Sequence, residues 1–121
     1  VTTLTLAASD LAGFVLDSQL TATATWHMAF NGGSVTGQTD STAVVSSVVA
    51  VAGEYDVLRV EITVDGTVRY IINGTVVQTT VNGVSPTVLL AAYAGVWGTT
   101  TTAASADLDY LEVTASRDWT R

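Results

Sequence analysis

The chain has 121 residues and a formal net charge of −7, from four arginines against eleven carboxylates, with neither lysine nor cysteine. That length holds one domain of ordinary size rather than two, and the missing cysteines exclude a disulfide frame, a zinc cluster and a thiol nucleophile. Four scattered arginines cannot form a stripe that tracks phosphates, so the acidic balance argues against nucleic acid and anionic membrane as partners.

With 48% apolar and 12% charged residues, enough apolar surface exists to offset chain entropy, and a packed fold is expected. Thr, Val and Ala make up nearly half the chain, and the β-branched residues among them favour strands. Turn signals such as Asn31-Gly32-Gly33, Asp65-Gly66, Asn73-Gly74 and Ser85-Pro86 recur about every ten residues. Short strands at that spacing predict an all-β, antiparallel sandwich or jelly roll. The start at Val1 has no initiator Met, basic region or long apolar run, which points to a trimmed chain, a fragment or part of a longer protein. The nearly uncharged stretch 75–106 is broken by Asn82-Gly83, Ser85-Pro86 and Gly98, so it does not read as a membrane helix.

In chain order, strands are expected near 2–7, 13–17, 21–30, 34–39, 42–50, 55–64, 67–73, 75–81, 87–97 and 105–115. Together they make one domain over 1–115, followed by a tail over 116–121. In the strand near 21–30, inward Trp26, Met28 and Phe30 would turn His27 outward. The strongest signal lies in 55–81. A two-residue loop at Asp65-Gly66 would set Ile62 opposite Arg69 and mix the faces. A three-residue loop, Val64-Asp65-Gly66 with Gly66 left-handed, pairs 63 with 67. Ile62 then meets Val68, Val60 meets Tyr70, Leu58 meets Ile72, and Glu61 meets Arg69 on the other face. Asn73-Gly74 suits a type I′ turn that pairs Ile72 with Thr75, Ile71 with Val76 and Tyr70 with Val77. Ile71 and Val76 then share the back face, which is covered either by the chain itself or by a partner.

The pattern over 54–78 is a long strand, an Asp-Gly turn, an aromatic-containing strand, an Ile-Asn-Gly turn and a return strand. After it come Val84-Ser-Pro-Thr87, an apolar run through Tyr93 to Trp97, and the closing Asp107-Leu-Asp-Tyr-Leu-Glu-Val113. This succession resembles the later part of a concanavalin A-like lectin/glucanase module in its laminin-G-like form, over roughly 14–115. Modules of this kind occur in bacteriophage virion proteins and in secreted carbohydrate-active proteins. The resemblance implies a sandwich fold that either has further strands upstream of this sequence or is a reduced sandwich that completes itself by packing on a neighbour, since exposed sheet edges tend to pair.

Glycanases of that superfamily carry Glu-x-Asp-x-Glu on one strand. Here Asp107, Asp109 and Glu112 have a similar spacing, but in the closing strand, and alternation turns Glu112 away from the two aspartates. They read instead as outward carboxylates that keep an edge strand soluble, with Leu108 and Tyr110 inward. No catalytic residue is therefore expected. His27 has no second His or Cys to share a metal, and no metal or cofactor is expected. Asp17-Ser18 and Asp40-Ser41 read as Asx turns, with calcium at Asp17 or Asp65 as the sharper alternative. Asn73-Gly74-Thr75 is formally a glycosylation sequon but reads as a turn. Trp97, with Tyr93, is the candidate sugar platform at a strand end, against the plainer role of closing the core. Ile71, Val76 and the tail residue Trp119 are candidate interface residues. The expected function is a non-catalytic structural module: a decoration, fibre or appendage protein of a phage virion that contacts copies of itself or other virion proteins. The alternative is a lectin-like domain of a secreted or surface protein that binds glycans. The expected location is the virion or the extracellular space.

Overall fold

The computed structural model describes residues 10–17, 20, 22, 24–88, 90–96 and 105–115. The expected strand over 2–7 lies outside them. The described fold is all-β, with two antiparallel three-stranded sheets. The first sheet is β1 (Leu11–Val15), β2 (Thr25–Asn31) and β3 (Val44–Val49), in that order. The second is β4 (Leu58–Ile62), β5 (Val68–Ile72) and β6 (Thr75–Thr80), again in order. Among the described residues the helical content is one 3-10 turn at Asp40–Thr42. Consecutive antiparallel strands need only short links, which the regular turn residues supply.

The two sheets meet face to face, an arrangement compatible with a sandwich. Met28 from β2 and Val68 and Tyr70 from β5 form one buried cluster with Val84. Ala12, Phe14, Val44, Val60 and Val77 pack against it from both sheets. Phe14 meets the Tyr70 ring edge-on at 5.5 Å and Trp26 edge-on at 6.4 Å, geometries that aromatic quadrupoles favour. The Tyr70 hydroxyl donates to the Ala29 carbonyl at 2.7 Å, so its one polar atom is satisfied inside the core.

The β4–β5 hairpin has the register that separates its faces. Leu58 pairs with Ile72, Val60 with Tyr70, Glu61 with Arg69 and Ile62 with Val68. Thr63 and Thr67 close the loop, and Gly66 sits at φ +80. Asn73 and Gly74 are both at positive φ, as a type I′ turn requires. The β5–β6 register departs from a plain ladder after two pairs. Ile72 meets Thr75 and Ile71 meets Val76, but Tyr70 then meets Gln78 rather than Val77. Val77 is the extra residue of a bulge. It still packs on the core cluster, so the bulge bends β6 without losing that contact.

Other strands differ from expectation. The stretch near 34–39 is an irregular loop with one isolated bridge, Phe30 to Gln38. Gly37 interrupts it, and a glycine inside a short strand weakens the ladder. His27 is buried, not outward. It lies on the middle strand of its sheet, where Thr25 and Ala29 on the same face are buried as well. The alternation argument assumed one wet face, and β2 has none.

By backbone packing the chain divides into two compact units, 1–89 and 90–121. Among the described residues, all six strands lie in the first. In the second, 90–96 and 105–115 carry no strand, although strands over 87–97 and 105–115 were expected. Leu108 and Tyr110, expected inward, are both more than 60% exposed. Alternation gives a segment strand propensity, but a ladder forms only where a neighbouring backbone accepts its hydrogen bonds.

Candidate functional site

Three places in the described residues could carry function. The first is an open groove of about 440 Å³ where the loops after β2, β4 and β6 converge, lined by Gly33, Ser34, Asp65, Asn82 and Ser85 among others. Backbone hydrogen bonds tie its loops together. Ser34 N–H donates to the Asn82 carbonyl at 3.1 Å, and Val84 N–H donates to the Gly66 carbonyl at 3.2 Å. A side chain at Gly33 would run into the Asn82 carbonyl, which is why a glycine is needed there.

Asp65 is the charged group of the groove, and its own turn occupies it. The Thr63 hydroxyl and the Thr67 N–H donate to Oδ1, and the Thr67 hydroxyl donates to Oδ2 at 3.2 Å. These donors hold the carboxyl below its ordinary range, the Thr63 hydroxyl most of all. A carboxylate with one oxygen saturated by its own loop is a turn brace before it is a calcium ligand. No cluster of three metal-ligating side chains occurs among the described residues.

The second place is the outer face of the second sheet. Arg59, Glu61 and Arg69 form a linked triad there: Arg59 Nη2 lies 2.6 Å from Glu61 Oε1, and Arg69 Nη1 donates to Glu61 Oε2 at 2.8 Å. The Glu61–Arg69 part follows from the hairpin register. Alternation puts Arg59 on the same face as Glu61, but nothing in the pairing arithmetic signals that it joins the ion pair. Two arginines share one carboxylate, so the triad carries a net positive charge on an acidic chain. Val76 lies on this face beside Ile71 and is 45% exposed, whereas Ile71 is buried. Of the two interface candidates on this face, then, Val76 is at the surface and Ile71 is not.

The third place is the second unit. Tyr93 is 66% exposed, and Leu111 and Val113 are exposed as well as Leu108 and Tyr110. Trp97 and Trp119 lie outside the described residues. Asp107, Asp109 and Glu112 are exposed on a segment without strand pairing, so no strand aims them into a cleft.

One polar hub had no signal in the sequence. Asp56 accepts from the Trp26 indole N–H at 2.7 Å and from the Asn73 amide at 2.8 Å. Asn73 in turn accepts from the Val57 N–H at 2.8 Å. Asp56 thereby ties the first sheet to the type I′ turn of the second.

Neither a family model, nor a curated protein, nor a solved structure matches the chain.

Proposed function

We propose that this chain is a non-catalytic structural module that works by protein assembly, as a decoration, fibre or appendage subunit of a phage virion. One observation carries the reading. Leu108, Tyr110, Leu111 and Val113 are 55–65% exposed on a segment that has no strand partner among the described residues. Clustered apolar side chains and open backbone groups are what protein partners cover. The virion setting rests on the resemblance of 54–78 and 107–113 to concanavalin A-like modules. Sedimentation velocity of the purified chain across a wide concentration range tests the assembly. A species heavier than the 12.5 kDa monomer is expected. A strict monomer that also binds no virion protein overturns the reading.

The exposed ring of Tyr93 favours glycan binding as the second reading. Among the described residues no aromatic side chain lines the loop groove, so a sugar platform would be built around Tyr93. Saturable retention on immobilised β-glucan that Tyr93→Ala abolishes, by a chain that stays monomeric, moves this reading first.

A further inference from the structure

The two arginines of the described residues, Arg59 and Arg69, both lie on the outer face of the second sheet. We infer that this face is the seat for residues 107–113 of a second copy of the chain. The inference rests on the assembly reading and names its contact.

Three features make the match. The first is charge. Asp107 and Asp109 are exposed acidic groups, and the seat offers the net positive Arg59–Glu61–Arg69 triad. The second is spacing. Arg59 pairs with Ile71, two residues from Arg69, so the two arginines are diagonal neighbours on adjacent strands. Such positions lie about 7–8 Å apart. Asp107 and Asp109, on one face of an extended segment, lie about 6.6–6.8 Å apart. Each carboxylate can then reach one guanidinium, which has donors left after its bond to Glu61. The third is apolar pattern. Asp107, Asp109, Leu111 and Val113 alternate onto one face of an extended segment. Beside the arginines the seat presents Val76, 45% exposed, on the same face as Arg59. Val76 shares a cross-strand row with Arg59, with Ile71 between them, so it borders the arginines and offers apolar surface next to them. Donor and acceptor surfaces differ, so the contact either repeats twice in a two-fold dimer or propagates into a ring or filament.

Charge exchange in the full chain is the test, read by sedimentation velocity. D107R/D109R alters a segment outside the strands, and R59E/R69E reverses the seat. Each is expected to weaken self-association by roughly tenfold or more. An equimolar mixture is expected to associate again, because each variant then offers the other a matched pair of surfaces. If R59E/R69E does not fold by circular dichroism, R59Q/R69Q replaces it and is expected to weaken association in the same direction. Self-association that none of these changes alters overturns the inference and leaves the assembly reading standing. A wild-type chain that stays monomeric throughout overturns this contact even if other virion proteins bind it.

Discussion

The Tyr70 hydroxyl reaches from the second sheet to the first and donates to the Ala29 carbonyl at 2.7 Å, joining β5 to β2 through one buried hydrogen bond. Tyr70 is fully buried, and burial pushes its phenol above the ordinary value of 10.0. Tyr70→Phe keeps the ring contact with Phe14 but removes the donor, and is expected to cost about 1–3 kcal/mol in urea unfolding. The raised phenol adds a pH signature. The folded state favours the neutral form, so this contribution is complete below pH 10 and fades as pH rises above it. The wild type should therefore lose stability above pH 10 more steeply than Tyr70→Phe. Parallel alkaline limbs for the two proteins would contradict the assigned role.

Gly66 and Gly74 share nearly the same backbone, at φ +80 and +81, in very different surroundings. A Cβ on Gly66 would lie 2.2 Å from the Val84 carbonyl oxygen, whereas a Cβ on Gly74 would meet open space. Alanine at Gly74 should cost about 1–2 kcal/mol, the left-handed penalty alone. Alanine at Gly66 pays that penalty and also displaces the Val84 strap, whose N–H bonds the Gly66 carbonyl. It should therefore cost clearly more, and thermal unfolding of the two variants side by side checks the order. Equal costs would mean that the strap yields freely.

How far the sequence reveals this fold depends on the range of the forces involved. The hairpin over 58–72 was legible because register, alternation and turn chemistry all act within fifteen residues, and only one loop length keeps Ile62, Val60 and Leu58 on one face. The bulge at Val77 was not legible. It depends on how β6 bends to keep Val77 on a core built by distant strands. His27 failed for a related reason: burial on both faces of β2 is a property of the whole sheet, not of the alternation along one strand. Asp56 shows the same limit, since its bond to Trp26 spans thirty residues and leaves no local pattern. At the candidate surface, Glu61 opposite Arg69 could be read from pairing arithmetic, while the burial of Ile71 beside an exposed Val76 could not.

Asp56 holds two donors from different sheets, Trp26 and Asn73. Asp56→Ala leaves both without their charged acceptor and should cost about 1.5–3 kcal/mol. Asp56→Asn keeps one carbonyl oxygen, enough for one of the two donors, and should cost less. The indole N–H resonance of Trp26 reports the loss directly. It should move toward its solvent position in Asp56→Ala and less so in Asp56→Asn. An unmoved resonance in Asp56→Ala would show that the bond contributes nothing in solution.

Ile71 and Val76 are direct cross-strand partners with opposite exposure, and this separates folding from assembly at one point of the surface. Ile71 is 8% exposed, so Ile71→Asp forces a carboxylate into a covered apolar position. Such burial without a partner typically costs several kcal/mol, about 3 or more here, and should lower the unfolding midpoint steeply. Val76 is half in water, so Val76→Asp should change stability by about 1 kcal/mol or less. At the same time it places a negative charge on the same face as Arg59, the surface inferred to receive the acidic segment of another copy. Val76→Asp should therefore weaken self-association while leaving the circular dichroism spectrum and the unfolding midpoint nearly unchanged. Ile71→Asp should lose both together. A Val76→Asp chain that assembles as tightly as the wild type would remove this face from the interface. An Ile71→Asp chain as stable as the wild type would show that the cover over Ile71 opens at little cost.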